Sequence, residues 1–188
     1  MYKKEARKIF REKRKAINAT QQAKWDDLIL IRFQMLNLPF IENVFSYIAI
    51  EEKKEINTTN ILRYLQFLNP QMQIAYPVSD FNNCSMKAIV PETDEFRENS
   101  YGILEPVGDE ELPVSEIDLV LVPLLCFDKE GYRVGYGKGF YDKFLSASVD
   151  KPIKLGLSYF EPVDTITDRD EFDVPLNYCI TPDMIYEF

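Results

Sequence analysis

A glycine-rich segment with two basic side chains and one carboxylate is the feature of the sequence best suited to chemistry. Four of the seven glycines in the chain fall within residues 131–139, which also contain Arg133 and Lys138, and Asp142 follows. Glycine lets backbone N–H groups approach an anion closely, and a following helix N-terminus adds partial positive charge. Arginine and lysine donate to phosphate oxygens, and a nearby carboxylate suits Mg²⁺. The segment therefore predicts a phosphate site, with Asp142 as a magnesium ligand.

The spacing alone leaves a second interpretation open. The segment lacks the P-loop pattern G-x-x-x-x-G-K-[ST], and it is not a G-x-G-x-x-G loop with an acidic residue about 20 positions later. It is also compatible with a glycine turn that only joins a strand to a helix. In that case Lys138 is solvated and Asp142 pairs with the helix end.

The composition excludes several classes of catalyst. The 188 residues include no histidine, which excludes Ser-His-Asp triads, Cys-His dyads and histidine metal ligands. The three cysteines are far apart and form no C-x-x-C pair, so we expect reduced thiols. The longest apolar run, residues 119–127, is shorter than the roughly 20 residues that span a bilayer. No secretory signal is recognisable at the N-terminus, so we expect a cytoplasmic protein without a membrane partner.

Charge is distributed unevenly along the chain. The net charge is −9, but residues 1–15 contain eight basic and two acidic side chains. An acidic body repels the phosphates of duplex nucleic acid, so we expect no nucleic-acid partner, and the basic segment suits a small polyanion. A nucleic-acid module that uses this segment is the competing hypothesis, and steeply salt-dependent binding would identify it.

Hydrophobic periodicity predicts alternating helices and strands. The predicted helices are residues 3–17, 21–36 (capped by Thr20), 58–68 and 139–146. The predicted strands are residues 44–50, 72–76 (ended by Pro77), 85–90, 119–122, 153–158 and 177–180, with a long acidic loop over residues 92–116. This order predicts the α/β class: a single three-layer domain over residues 1–188, with a central, mostly parallel sheet flanked by helices.

The glycine-rich segment also resembles the signature of the 5-formyltetrahydrofolate cyclo-ligase family, whose members are also called 5,10-methenyltetrahydrofolate synthetases. The matching positions are Pro123, Phe127, Asp128, Gly131, Arg133, Gly135, Gly137, Gly139, Phe140, Tyr141 and Asp142. Weaker matches follow the family order along the chain at Lys3, Arg7, Glu55, the run 101–106 and Asp173. Four positions depart from the family pattern: Leu124 replaces a glycine, Ala6 a leucine, Tyr136 an arginine of some members, and Glu161 a glutamine.

The resemblance implies a reaction and its requirements. It implies that ATP and Mg²⁺ drive the conversion of 5-formyltetrahydrofolate to 5,10-methenyltetrahydrofolate, with release of ADP and phosphate. The implied route phosphorylates the formyl oxygen and closes the ring through N10. A monomer and a substrate with or without a polyglutamate tail are expected. The alternative is a non-catalytic relative that binds folate or a nucleotide on the same fold.

The resemblance also implies roles for individual residues. The implied catalytic residues are Arg133, Lys138 and Tyr141, and the implied magnesium ligands are Asp142 and Asp173. The implied ATP-binding residues are Lys3, Lys4, Arg7, Arg133, Gly135, Tyr136, Gly137, Lys138, Gly139, Phe140 and Tyr141. The implied folate-binding residues are Ile50, Glu55, Met86, Tyr136, Gly137, Lys138, Gly139 and Phe140.

Overall fold

The computed structural model describes residues 1–148 and 151–188. Its helices are α1 (Lys3–Ala16), α2 (Ala19–Gln34), α3 (Thr59–Leu68) and α4 (Phe140–Leu145), with short 3₁₀ helices at Glu51–Lys53 and Val114–Glu116. The first six strands are β1 (Asn43–Phe45), β2 (Gln73–Asp80), β3 (Ser85–Val90), β4 (Phe96–Glu98), β5 (Leu104–Pro106) and β6 (Glu110–Glu111). The others are β7 (Leu119–Val122), β8 (Cys126–Phe127), β9 (Arg133–Val134), β10 (Ile153–Leu157), β11 (Tyr178–Ile180) and β12 (Ile185–Glu187).

One sheet of eight strands forms the centre of the described structure, in the order β12-β11-β10-β7-β1-β2-β3-β6. The pairs from β11 through β2 are parallel, whereas β12, β3 and β6 add in antiparallel orientation. The all-apolar run of β7 is fully buried, as a strand covered on both faces must be. The α/β class and the mostly parallel sheet are confirmed.

Successive side chains of the central strands lie on opposite faces of the sheet and pack in separate hydrophobic cores. Val44 of β1 packs with apolar residues of α2 and α3, whereas the next residue, Phe45, packs with Leu145 of α4. Helices therefore cover both faces of the sheet, because strand side chains have a period of two. Helix α1 packs instead against the hairpin of β8 and β9, through Ala6 and Phe10.

Several predicted boundaries were wrong. The first strand ends at Phe45 rather than residue 50, because its pairing with both β2 and β7 ends at that residue. Strand β2 continues through Pro77 to Asp80. The pairing of β1 with β2 ends at Ala75, so residues 76–80 of β2 have no β1 partner on that edge. Proline is tolerated on such an edge because it has no N–H to donate.

Other differences arise in short or irregular segments. The predicted loop over residues 92–116 contains β4, β5 and β6, and β12 follows the strand predicted to be last. Asn18, rather than Thr20, caps α2, with its side chain accepting a hydrogen bond from the Gln21 N–H at 2.8 Å. Strands of two or three residues are too short to show a period.

Within the described residues, no helix is both long enough and apolar enough to cross a membrane.

Candidate active site

A cavity of about 730 Å³ opens where the central strands end. Residues after β1, including Tyr47 and Ile50, and residues after β7, including Pro123, line it together with α1 and the glycine-rich segment. Ligands of open α/β sheets bind at the carboxyl ends of the strands, because loops and helix ends meet there. This cavity is therefore the candidate active site.

The lining of the cavity combines basic and apolar side chains. Among the described residues that line it, nine are basic and four are acidic, although the whole chain carries −9. The basic ones are Lys3, Arg7, Arg11, Arg14, Lys15, Lys53, Lys54, Arg133 and Lys138. The apolar and aromatic ones include Ile48, Ile50, Phe81, Met86, Tyr101, Ile103, Leu104 and Phe140. Such a lining fits a ligand with a polyanionic part and an apolar part.

Helix α1 supplies several of the basic side chains on the lining. The ammonium of Lys3 pairs with the Asp173 carboxylate at 2.5 Å, and Arg7 Nε donates to the Gly135 carbonyl at 3.1 Å. The two basic residues are four positions apart, so they share a helix face. Lys4 is exposed and does not line the cavity, because consecutive residues point about 100° apart around a helix. Its predicted contact with ATP therefore has no support from this geometry.

The glycine-rich segment needs glycine where it passes Arg7. Gly137 has a φ of +97°, and a Cβ at this position would lie 3.1 Å from Arg7 Cζ. Left-handed backbone disfavours other residues. Lys138 is exposed on the cavity lining and has no hydrogen-bond or ion-pair partner among the described residues. Its ammonium is thus free to meet an anionic ligand.

Arg133 is a buried cation held by two partners. Its guanidinium pairs with Asp142 Oδ1 at 2.8 Å and donates to the Val174 carbonyl. Burial lowers the pKa of Arg133, and the carboxylates of Asp142 and Asp173 oppose that shift. The ion pair therefore keeps a positive charge at the base of the cavity.

The two predicted magnesium ligands both line the cavity. The hydrogen bonds that Asp142 accepts from described residues end on Oδ1, and those that Asp173 accepts end on Oδ2. Each carboxylate thus has a second oxygen available. The described residues contain no group of three or more metal-ligating side chains. One or two protein carboxylates with substrate phosphates are a usual set for Mg²⁺, so the residues present fit that ion.

A buried glutamate on the cavity lining is held by the turn before it. Glu55 Oε2 accepts a hydrogen bond from the Ile50 N–H at 2.9 Å, and the glutamate is only 6% exposed. Met86 lines the same cavity and is nearly buried. The three predicted folate contacts outside the glycine-rich segment therefore share one cavity.

Two tyrosines face this site with neutral hydroxyls. The Tyr141 hydroxyl is buried without a hydrogen-bond partner among the described residues, and burial and the Glu55 carboxylate raise its pKa. The Tyr136 hydroxyl accepts from Arg14 Nη1 at 3.3 Å, and burial and Glu55 raise its pKa as well. Both groups can therefore donate a proton to a hydrogen bond at neutral pH.

Sequence reasoning missed several lining residues. Arg14 is buried and donates to the Leu124 carbonyl. A signal for it existed, because Lys3, Arg7, Arg11 and Arg14 follow the helical spacing of four, four and three. Phe81 and Tyr101 stack with ring centroids 3.8 Å apart. They are distant in sequence, and no local pattern connects them.

Two departures from the family pattern have local partners. The Leu124 side chain packs over Gly156, where a Cβ would lie only 2.5 Å from Leu124 Cδ2. Glu161 accepts hydrogen bonds from Thr181 and Tyr186 and does not line the cavity. Leu124 therefore acts in packing, and Glu161 acts in hydrogen bonding away from the cavity lining.

Comparisons with known proteins agree on one family. The model of the 5-formyltetrahydrofolate cyclo-ligase family matches residues 1–182. The 5-formyltetrahydrofolate cyclo-ligase of Mycoplasma genitalium is 28% identical over 177 residues, which cover 92% of this chain and 94% of that protein. The enzyme of the same name from Mycoplasma pneumoniae is 29% identical, with 96% of this chain and 98% of the relative covered.

Solved structures extend the similarity to the fold. The 5,10-methenyltetrahydrofolate synthetase of Aquifex aeolicus superposes with a TM-score of 0.79 and 25% identity, covering 100% of this chain and 93% of the other. The synthetase of Mycoplasma pneumoniae gives a TM-score of 0.78 and 26% identity, covering 97% and 99%. The described fold thus matches theirs along the whole length of the chain.

Proposed function

Since the chain belongs to the 5-formyltetrahydrofolate cyclo-ligase family, we propose that it is a ligase that uses ATP to convert 5-formyltetrahydrofolate to 5,10-methenyltetrahydrofolate. The observation that carries this proposal is one cavity lined by basic and by apolar side chains. The glycine-rich segment lines the same cavity. A nucleotide phosphate and a folate can therefore meet at residues 133–142.

The proposed reaction must turn a formamide oxygen into a leaving group. The γ-phosphoryl of ATP is transferred to the formyl oxygen, and ADP leaves. N10 then attacks the formyl carbon and loses its proton, and the C–O bond breaks to release phosphate. Phosphoryl transfer depends mainly on positioning and charge neutralisation, and neither requires the histidine that this chain lacks.

In this proposal the basic side chains of the lining hold the phosphates. Lys3 and Arg7 contact the ATP phosphates, and Arg133 and Lys138 neutralise the transferred phosphoryl group together with backbone N–H groups of residues 135–139. Support comes from the exposed, unpaired ammonium of Lys138 on the lining. Mg²⁺, when bound through Asp142 and Asp173, would neutralise phosphate charge further.

The apolar side chains of the lining hold the folate in this proposal. Ile50 and Met86 pack against the ring system, and Glu55 accepts hydrogen bonds from its N–H groups. The neutral Tyr141 hydroxyl, which has no partner among the described residues, donates to a substrate oxygen. A polyglutamate tail on the substrate and a monomeric protein stay predictions.

The test is a direct assay of the purified protein. Protein, 5-formyltetrahydrofolate and Mg²⁺ are mixed with and without ATP, and the absorbance of the methenyl product is followed. ATP-dependent product with stoichiometric ADP supports the ligase. Binding of both ligands without turnover would instead support the non-catalytic relative. Absence of ATP binding would contradict the phosphate site itself.

A matched pair of variants tests the folate side. Glu55→Gln removes the buried carboxylate, so we expect the KM for 5-formyltetrahydrofolate to rise at least tenfold, about 1.4 kcal/mol of lost binding. Glu51→Gln changes an exposed glutamate of the same turn that does not line the cavity, and its KM should match that of the wild type. Equal effects of the two substitutions would contradict the role of Glu55.

A further inference from the structure

Two charged residues outside the cavity connect the segments that form its phosphate side. Asp128 is fully buried in the turn between β8 and β9, five residues before Arg133. Arg169 lies in residues 163–173, an irregular segment that we call the support loop, which ends at Asp173. Neither Asp128 nor Arg169 lines the cavity. Any effect of theirs on the ligands must therefore pass through other residues.

The Asp128 carboxylate joins its own turn to the support loop. Its Oδ1 accepts from the backbone N–H groups of Glu130 and Tyr132, both at 3.0 Å. Its Oδ2 accepts from the Ile166 N–H at 2.9 Å and from Arg169 at 2.5 Å. Each oxygen thus serves one of the two segments, and the four donors use the acceptor capacity of the carboxylate.

Arg169 strengthens the same junction from the other side. Its guanidinium also pairs with Glu130, with N–O distances of 2.6 and 2.8 Å. It lies over the Tyr132 ring, 4.2 Å from the centroid. The planar guanidinium can make these contacts together, which a lysine cannot. The hairpin that carries Arg133 is therefore held to the support loop by one charged cluster.

The support loop in turn holds the start of α1. Asp168 accepts from the Lys3 backbone N–H at 2.7 Å, and Asp173 pairs with the Lys3 ammonium at 2.5 Å. The Thr167 N–H donates to the Met1 carbonyl at 3.0 Å. Displacement of this loop relative to the hairpin would move Lys3 and Asp173 away from Arg133.

We propose that Asp128 and Arg169 are positioning residues that set the distance of Lys3 and Asp173 from Arg133 and thereby the affinity for ATP. This inference rests on the proposed function, because it assigns the ATP phosphates to Lys3 and Arg133 and the accompanying Mg²⁺ to Asp173. Ile50 and Met86 of the proposed folate site lie in other segments. The junction therefore acts more strongly on ATP than on the folate.

Asp128→Asn tests the junction selectively. Asparagine presents one oxygen and one NH₂ group, so it can accept from only one of the two donor pairs. The N–H groups of Glu130 and Tyr132 are close in sequence to residue 128 and continue to donate to the amide oxygen. The NH₂ group then faces the donors of Ile166 and Arg169 in the support loop. We expect the KM for ATP to rise tenfold to a hundredfold, as for residues that orient ligand-binding groups. The KM for 5-formyltetrahydrofolate should stay within about twofold.

The chain offers a control and a milder variant. Lys129 and Asp164 form an ion pair at 2.6 Å between the same two segments, but their side chains are 65% and 90% exposed. Lys129→Gln should leave both KM values unchanged, because exposed pairs contribute little. Arg169→Gln removes a partly exposed side chain and keeps the backbone contacts of Asp128, so it stays folded and should raise the KM for ATP less than Asp128→Asn does.

A binding measurement separates positioning from general destabilisation. The dissociation constant of ATP is measured without Mg²⁺, well below the melting temperature of each variant. Weaker ATP binding with unchanged folate binding supports the proposal. An equal loss for both ligands, or unchanged ATP binding in both variants, overturns it. If the wild-type protein binds ATP but makes no product, the ligase proposal fails and the ATP constants still test the positioning.

Discussion

Lys138 is the residue for which the site makes the clearest kinetic prediction. It lies exposed on the cavity lining, between two glycines of the glycine-rich segment. We expect Lys138→Ala to lower kcat by about 10²–10³, in the range of lost charge-stabilising donors, with a smaller effect on the KM for folate. The measurement is steady-state kinetics with each substrate varied in turn.

Lys143→Ala is the matched control for this prediction. Lys143 is an exposed lysine of α4 that donates to the Asn83 carbonyl at 2.8 Å and does not line the cavity. Its kcat should equal that of the wild type. If Lys138→Ala changed only the KM for folate, Lys138 would contact the folate and not the transferred phosphoryl group, which would contradict the proposal.

Asp142 pairs with Arg133 and also lines the cavity. In Asp142→Asn the amide oxygen can still accept from the Val174 N–H, which lies 3.1 Å from Oδ1, so the fold should persist. The negative charge that would hold Mg²⁺ is lost, and activity should no longer respond to the ion. Product formation across a Mg²⁺ titration and thermal melting with and without Mg²⁺ and ATP test both statements. Wild-type turnover in this variant would contradict the metal assignment.

At the scale of elements, alanine substitutions at two glycines test whether the glycine-rich segment requires left-handed backbone at Gly137. Gly137 has positive φ and contacts Arg7, whereas a Cβ at Gly135 would meet nothing within 4 Å. Gly137→Ala should lower the free energy of unfolding by about 1–2 kcal/mol, the strain of a left-handed residue. Gly135→Ala should lower it by less than about 0.5 kcal/mol. Urea unfolding measures both, and equal losses would argue against strain at Gly137.

The contact between α2 and the end of β10 predicts a dependence on pH. Asp26 accepts from the Tyr159 hydroxyl at 2.7 Å, and burial raises the pKa of Asp26 to about 6. Ionisation therefore destabilises the folded protein as the pH rises from about 4, the ordinary value for an aspartate, through 6, and the loss persists above that. Asparagine stays neutral and can accept the same hydrogen bond.

Asp26→Asn should thus stabilise the protein only at higher pH. At about pH 8 we expect a gain of about 1 kcal/mol, reduced by partial solvent screening, and near pH 3.5 no gain. Thermal melting at both values measures the difference. Asp27→Asn, an exposed neighbour, should change less. A gain of equal size at both pH values would exclude ionisation of Asp26 as the cause.

At the scale of the whole molecule, the chain has a net charge of −9, whereas the lining of its cavity has more basic than acidic groups. The basic face of α1 lines that cavity through Lys3, Arg7, Arg11 and Arg14. A small polyanion can enter it, whereas a duplex meets the acidic remainder. We expect the KM for ATP to rise with ionic strength and duplex DNA to show no saturable binding between about 50 and 200 mM salt. Anisotropy of labelled DNA is the measurement, and steeply salt-dependent binding would favour the nucleic-acid hypothesis.

Local patterns explain which parts of the fold were predictable. Helix α1 and strand β7 have clear apolar periods or runs, and their predicted positions agree with the structure to within one residue. The continuation of β2 through Pro77 depends on where a neighbouring strand ends. The short strands β4, β5 and β6 depend on pairing partners rather than on their own sequences.

The sequence by itself determined the family, because a long signature of residue types at fixed spacings carries the resemblance. The order of Arg133, the glycines, Lys138 and Asp142 predicts the family, which the comparisons confirm. Which residues meet was decided only by the tertiary structure. Lys3 and Asp173 pair across 170 positions, and Lys4 turns away from the cavity because of the helix it lies on. Contacts of such sequence separation depend on how sheet, hairpin and loop pack, and no local pattern encodes that packing.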